Sequence, residues 1–391
     1  MWPVIPILNS ILKLPSKSFF NLRLTAVALF SFFCFGMAHA QNNQNSVFDL
    51  VQKVVDNQDK ITLEGVKVSV YWIGADVILQ SVHVLREPNR WRFDYFPVKN
   101  HSYQVAILDQ GAIYHMKPSR RLIFRQPYDP KDYENEHILN LAADNYDWID
   151  EGTVLLSGVK CHQVAALSHA DQKPAVRFWV DPKHGVAMAE TWYDDEGFPI
   201  FASYYAEIDF PKTLPKYAFQ LPAGIAVRDF PSPKELEGTA ARKALDFVPM
   251  KPAFIPAGFK PIGMELTQWP THRKLHYRYS DGLRDLSVYE NLRHGIYHRL
   301  NGAQIIHSNN DALELLEEPN GTVVRFPEGK LTIAVEGNLS AKTLAQVALS
   351  IATPVHLDSI ASSQNQSFLT RLAHYFKRGL VAIKHTFSKI N

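Results

Sequence analysis

Run after run of this chain alternates apolar and polar side chains at every second position, and short clusters of turn-forming residues separate the runs. Val66, Val68, Val70 and Trp72 alternate with Lys67, Ser69 and Tyr71, and Trp91, Phe93 and Tyr95 alternate with Arg92 and Asp94. A period of two places every second side chain on one face of a strand, so a chain patterned this way buries sheet faces rather than helical stripes. The pattern continues through 103–108, 113–116 and 122–124, is interrupted by a short predicted helix near 136–143, and resumes after Gly152. Residues 176–180 run into the turn 181–185, then 186–193, then the turn 194–197, then 198–210, which is a meander of long hairpins. Ahead of the strands, Val47, Leu50, Val51, Val54 and Val55 recur at helical spacing, with Ser46 placed to cap that helix. The expected class is α+β, opening with a strongly curved sheet or half-open antiparallel β-barrel that has helices on its concave side.

Between about 222 and 252 the strand signal fades, and Pro231, Pro233, Pro249 and Pro252 punctuate a charged stretch. A domain boundary is expected there. Beyond it lies a smaller α+β domain, with strands at 274–279, 286–291, 322–326 and 331–336. A four-residue loop, 327–330, joins the last two strands, and a helix capped by Ser340 follows, with Leu344, Val347, Ala348 and Ile351 on one face. After Pro354 a polar segment leads to a C-terminal amphipathic helix. Its apolar face includes Phe368, Leu372, Phe376 and Ile383, and Lys377 and Arg378 belong to its basic face. Three roles fit such a helix: docking on its own protein, docking on a partner, or peripheral contact with an anionic membrane. The expected division is 1–40 leader, 41–228 first domain, 229–252 linker, 253–355 second domain, and 356–391 polar linker and basic helix.

The leader follows from residues 1–40, where Lys13, Lys17 and Arg23 precede an apolar run from 24 to 37 and then Ala38-His39-Ala40. That is the layout of a cleaved signal peptide, with Gln41 as the first mature residue. A retained anchor is the alternative, but the run is shorter than the roughly 20 residues a spanning helix needs. Cys34 follows Ser31-Phe32-Phe33, too bulky for lipoprotein processing. Cleavage leaves Cys161 as the one cysteine, so no intramolecular disulfide can form and the fold must stand on its core. It also removes three basic residues, leaving 38 basic against 39 acidic. From 41 to 358 the balance is 33 against 39, or −6, which does not suit a nucleic-acid partner.

Little in the chain points to catalysis. Among sixteen histidines the best pair is His294 and His298, but Gly295 weakens the helix that would align them and no third ligand stands nearby. Neither a phosphate-binding loop nor a Gly-x-Ser-x-Gly elbow occurs. Asp194-Asp195-Glu196 falls in a hairpin turn, where Asp serves local backbone hydrogen bonds. No enzyme, metal or cofactor is expected. The positive signal is aromatic: Trp72, Trp91, Phe93, Tyr95, Tyr103, Phe124, Phe178, Tyr193 and Tyr204 crowd the first domain. On a curved sheet such side chains either pack a core or line a cavity for an apolar ligand. Alternation cannot say which face would hold the cavity, because both faces of several strands carry aromatics.

Two sets of motifs carry a family resemblance. Phe178-Trp179-Val180-Asp181, followed by Gly185, Glu190, Asp195 and Gly197, resembles the hairpins of LolA-like periplasmic proteins, half-open β-barrels that hold acyl chains on a concave face. Phe254-Ile255-Pro256-Ala257-Gly258-Phe259, Tyr279-Ser280-Asp281-Gly282-Leu283, Leu286-Ser287-Val288, and Ala334-Val335-Glu336-Gly337 through Ile351 resemble the C-terminal domain of the RseB/MucB family. The likeness spans about 45 to 355; the basic tail lies outside it. It implies a negative regulator of an envelope-stress sigma factor in a Gram-negative periplasm. Such a regulator binds the periplasmic domain of a membrane anti-sigma factor and releases it when lipid or lipopolysaccharide is bound. A LolA-like carrier of lipoproteins or lipids, holding their acyl chains, is the alternative, and the second domain distinguishes the two. An isologous homodimer is compatible with the sequence but not demanded by it.

Overall fold

A computed structural model describes residues 44–57, 60–74, 76–97, 104–109, 111–117, 121–128, 136–231, 233–236, 245, 247–269, 273–292, 297–308, 311–319 and 321–352. The leader, Tyr103, His294 and the tail with Phe368, Leu372, Phe376, Lys377, Arg378 and Ile383 lie outside them. The chain forms two compact units. The first comprises the described residues of Met1–Tyr71, Ile78–Pro233 and Ser280–Asp285; the second comprises those of Trp72–Val77, Lys234–Tyr279 and Leu286–Asn391.

In the first unit, helix α1 (Gln44–Asn57) precedes β1 (Leu63–Ile73), β2 (Asp76–Glu87), β3 (Arg90–Tyr95), β4 (Gln104–Asp109), β5 (Ala112–Lys117) and β6 (Leu122–Pro127). Helix α2 (Glu136–Asn145) then leads to β7 (Tyr146–Leu156), β8 (Val159–Ser168), β9 (Pro174–Asp181), β10 (Val186–Tyr193), β11 (Pro199–Asp209) and β12 (Ala226–Asp229). These strands make one twelve-stranded sheet in the order β12-β6-β5-β4-β3-β2-β1-β11-β10-β9-β8-β7. The order leaves β12 and β7 as edges, so the sheet is not a closed barrel. Sequence neighbours pair as antiparallel hairpins, as short turns require, whereas β12 pairs parallel to β6. Helix α1 starts at Gln44, two residues ahead of the expected start at Ser46.

Two segments pack on the faces of this sheet. Val47, Leu50 and Val51 of α1 pack on Trp148, Val164, Ala166, Val176, Phe178 and Trp192. The segment carrying Leu214, Ala218 and Phe219 packs on Leu85, Val105, Ile107, Met116 and Ile123. Burying such side chains contributes about 1.5–3 kcal/mol each relative to exposure. The loop Ser280–Asp285 belongs to the same unit, and its buried polar groups are paired within it. Tyr146 Oη donates to Asp281 Oδ2, Asn145 Nδ2 to Asp281 O at 2.9 Å, and Arg284 Nη2 to Asp194 O at 2.9 Å. Gly282 has φ +102° and lies against the α2 backbone, where a Cβ would come within 2.1 Å of Ala142 N. Only glycine fits this approach.

In the second unit, β13 (Lys234–Glu235), β14 (Lys260–Gln268), β15 (Arg273–Ser280), β16 (Asp285–Leu292), β17 (Gln304–Ser308), β18 (Asp311–Glu318), β19 (Gly321–Glu328) and β20 (Leu331–Gly337) form an eight-stranded sheet. Helix α3 (Ala341–Ala352) contributes Leu344, Val347, Ala348 and Ile351 to a core with Leu275, Leu286, Val288, Val335 and Ile333. Ser340 Oγ accepts the Thr343 N–H at 3.3 Å, the predicted cap. The turn between β19 and β20 is shorter than the four residues expected. Pro327 pairs with Thr332 and Glu328 with Leu331, so the ladder continues to a two-residue turn at Gly329-Lys330.

Candidate functional site

Strand register decides which aromatic side chains share a face. Phe178 and Val176 lie under α1. Trp192 is directly opposite Val176 and, on its other side, Phe201; Phe201 is opposite Tyr71. Residues directly opposite in a ladder point the same way, so these rings form one row across β9, β10, β11 and β1. The rings touch in sequence: Trp148 and Phe178 have centroids 6.5 Å apart, Phe178 and Trp192 5.9 Å, and Tyr71 and Phe201 5.1 Å. Beyond Tyr71 the row reaches Tyr95. Burial first, and then the Tyr71 phenol beside it, push the Tyr95 phenol above its ordinary range. Along β3, Tyr95, Phe93 and Trp91 follow on one face, at 6.3 Å and 4.8 Å. Phe93 is opposite Ala106, Ala106 opposite His115, and His115 opposite Phe124. Phe124 therefore shares the face and packs on Phe230 at 5.1 Å.

A polar group is set into this aromatic face. Glu190 is 6% exposed, and its Oε1 accepts from Lys67 Nζ at 3.0 Å and from Ser203 Oγ at 2.7 Å. Its Oε2 accepts from Trp192 Nε1 at 3.1 Å. Burial alone would raise its pKa, but Lys67, Ser203 and Trp192 together hold the carboxyl below its ordinary value. Lys67 Nζ also lies 5.2 Å from the centre of the Tyr205 ring. The paired charges thus fix β1, β10 and β11 in register at the middle of the row.

Register gathers only part of the predicted set. Trp91, Phe93, Tyr95, Phe124 and Phe178 lie on the aromatic face. Tyr204 is opposite Val68 and Ala189 and alternates out of the row. Tyr193 accepts from Arg177 Nη1 at 2.9 Å, and the same guanidinium bonds Glu151. Trp72 belongs to the second unit. Four rings of the row, Tyr71, Trp148, Trp192 and Phe201, were not among the predicted lining residues. Trp148 follows Tyr146 at strand spacing, but the face each ring takes depends on bulges that change the parity of β11, where Ala206 is the extra residue opposite Val66/Lys67, and of β10, where Met188 is the extra residue between Ala187 and Ala189.

The arrangement offers apolar and aromatic contact around one buried, paired carboxylate. Cys161 is fully buried, and its thiol is pushed up to about 11 by burial and the nearby Asp181, which makes it unreactive. Among the described residues no three His, Cys, Asp or Glu side chains are grouped to hold a metal ion.

No protein-family model matches the chain, and no curated protein matches it either. Solved structures do. MucB in the complex structure of Pseudomonas aeruginosa MucA/MucB superposes with a TM-score of 0.50 at 14% identity, over 78% of this chain and 97% of that one. MucB in complex with MucA(peri) gives 0.49 at 14% identity, over 79% and 99%. A LolA superfamily protein from Nitrosomonas europaea gives 0.23 at 10% identity, over 44% and 97%. The fold of this chain is that of MucB.

Proposed function

We propose that this chain is a periplasmic regulator, without a catalytic step, that binds the periplasmic part of a membrane-bound anti-sigma factor. Its first domain, 41–228, takes an apolar ligand on the aromatic face, and its second, 253–355, contributes to recognition of the partner. The observation that carries this reading is the two-unit fold in MucB order, since MucB occurs in a complex with MucA and a carrier has no use for the second unit. The sequence motifs support the same family. The leader supports export to the periplasm, with cleavage before Gln41.

The aromatic row supports lipid, lipopolysaccharide or lipoprotein acyl chains as ligands, because contiguous rings offer a large apolar contact at low conformational cost. In this reading the first sheet is a half-open barrel with the row on its concave side. A ligand that binds the free protein better than the complexed one must weaken the complex, by linkage. The basic tail, with Phe368, Leu372, Phe376, Lys377, Arg378 and Ile383, adds a contact to the partner or to the anionic membrane beside it.

The test is an affinity capture with tagged residues 41–391 from detergent-solubilised envelope, with proteins and lipids identified by mass spectrometry. Recovery of a single-span membrane protein, lost when lipid is added, is the expected result. Recovery of lipoproteins or lipid alone would overturn it in favour of a carrier.

A further inference from the structure

The core of the second unit contains a carboxyl group with no cation paired to it among the described residues. Glu290 of β16 stands opposite Ile333 of β20 and is fully buried. Among the described residues its one hydrogen bond comes from the backbone N–H of Met250, 2.8 Å from Oε1. Oε2 has no partner among the described residues, and neither has the buried hydroxyl of Tyr277. Tyr277 and Tyr279 of β15 flank the carboxyl, and its charge helps to raise both phenols. Lys251, next to Met250, lies 5.9 Å from the centre of the Tyr277 ring. The ladder partner Ile333 is apolar.

Met250 belongs to a coil segment, 247–251, that crosses this core. Phe247 and Met250 pack against the buried cluster, and Glu290 supplies the hydrogen bond beneath them. The carboxyl therefore anchors the segment and, among the described residues, is the one ionisable acid at that point in the core. A buried charge without a counter-ion is costly, and the least costly relief is access to water. We propose that Glu290 is a proton-operated latch: neutral, it holds Met250 and keeps 247–251 seated on the core; ionised, it draws in water and loosens the segment.

Burial pushes the carboxyl from 4.5 up to about 7, against the lowering effect of the Met250 N–H. A carboxyl raised in the folded state contributes stability that is fully present below its unfolded value and is lost as pH rises through the folded one. The latch therefore loosens as pH rises from about 4.5 to about 7 and is fully loosened above that. This inference stands on the second unit alone and does not depend on the ligand or partner proposed above.

The experiment is site-resolved amide exchange of the full mature chain between pH 5.5 and 8.5, corrected for the intrinsic pH dependence of exchange. Protection at Met250 should fall roughly tenfold from pH 5.5 to pH 7 and level off above it, since the open state, with an ordinary carboxyl, releases its proton below the pH at which the folded one does. Glu290→Gln keeps the acceptor without the charge and should give a flat profile. Constant protection in the wild type, or the same pH-dependent fall in Glu290→Gln, would overturn the proposal. A second measurement needs no variant: the carboxyl carbon shift of Glu290 in the wild-type chain should titrate with its midpoint at the pH where the loss of protection levels off. A midpoint below pH 5.5 would also overturn it.

Discussion

Removing Lys67 from the aromatic face should destabilise the first unit far more than removal of an ordinary lysine. The lysine and its partner Glu190 have side-chain exposures of 11% and 7%, so solvent screens the pair weakly. Lys67→Met keeps the length of the stem and deletes one charge. Glu190 would then keep two neutral donors, Ser203 Oγ and Trp192 Nε1, and lose the cation that offsets its burial. Breaking a buried pair from one side costs about 3–5 kcal/mol, and the lost cation–π contact with Tyr205 adds about 0.5–1 kcal/mol. The pH dependence is diagnostic. In the wild type Glu190 is held below its ordinary pKa, so its contribution is present at neutral pH and is lost as pH falls through the folded value. Without Lys67, burial dominates and raises the carboxyl, so the variant loses stability as pH rises. The gap between the two proteins should therefore be full at neutral pH, narrow as pH falls, and close only below the ordinary carboxylate range. Urea unfolding followed by tryptophan fluorescence would measure it, and Lys67→Met/Glu190→Leu should cost less than Lys67→Met alone. A loss below about 1 kcal/mol at pH 7, or no narrowing of the gap at pH 5, would refute the reasoning.

Four further outcomes are expected. Gly282→Ala forces a Cβ within 2.1 Å of the α2 backbone at φ +102° and should cost more than about 3 kcal/mol, seen as a lower first-unit melting temperature. Phe201→Ser removes one half-buried ring from the row and should weaken binding of a lysophospholipid roughly tenfold, by fluorescence titration, with little change in melting. Trp179→Ala should cost about 3–5 kcal/mol, because Trp179 is a core residue whose Nε1 donates to Gln163 Oε1 at 3.1 Å. Phe376→Asp, by contrast, should alter partner capture or localisation with little effect on melting; equal losses of melting temperature would contradict that division.

The meander from β9 to β11 was legible almost to the residue, because alternation and turn chemistry agree there. Where these signals conflict, the sequence misleads. Strand β18 reads Asp-Ala-Leu-Glu-Leu-Leu-Glu-Glu, a run of helix formers, yet it is held extended between β17 and β19. Strand β2 begins with Val77-Ile78-Leu79, where contiguous apolar residues hide the period, and Val77 and Leu79 remain more than half exposed. The aromatic content of the site was readable from composition. Its face was not, because one-residue bulges in β11 and β10 reverse alternation and leave no local mark in the sequence. The Lys67–Glu190 pair was invisible for a related reason: its members are 123 residues apart and meet only through the β1–β11–β10 register.

The most direct measurement is the affinity of mature chain 41–391 for the periplasmic segment of the captured single-span membrane protein, with and without saturating lipopolysaccharide. Regulation through the aromatic face predicts binding without lipid and an affinity at least tenfold weaker with it, a difference that Phe201→Ser should reduce. Equal affinity in both conditions, or no binding in either, would contradict it.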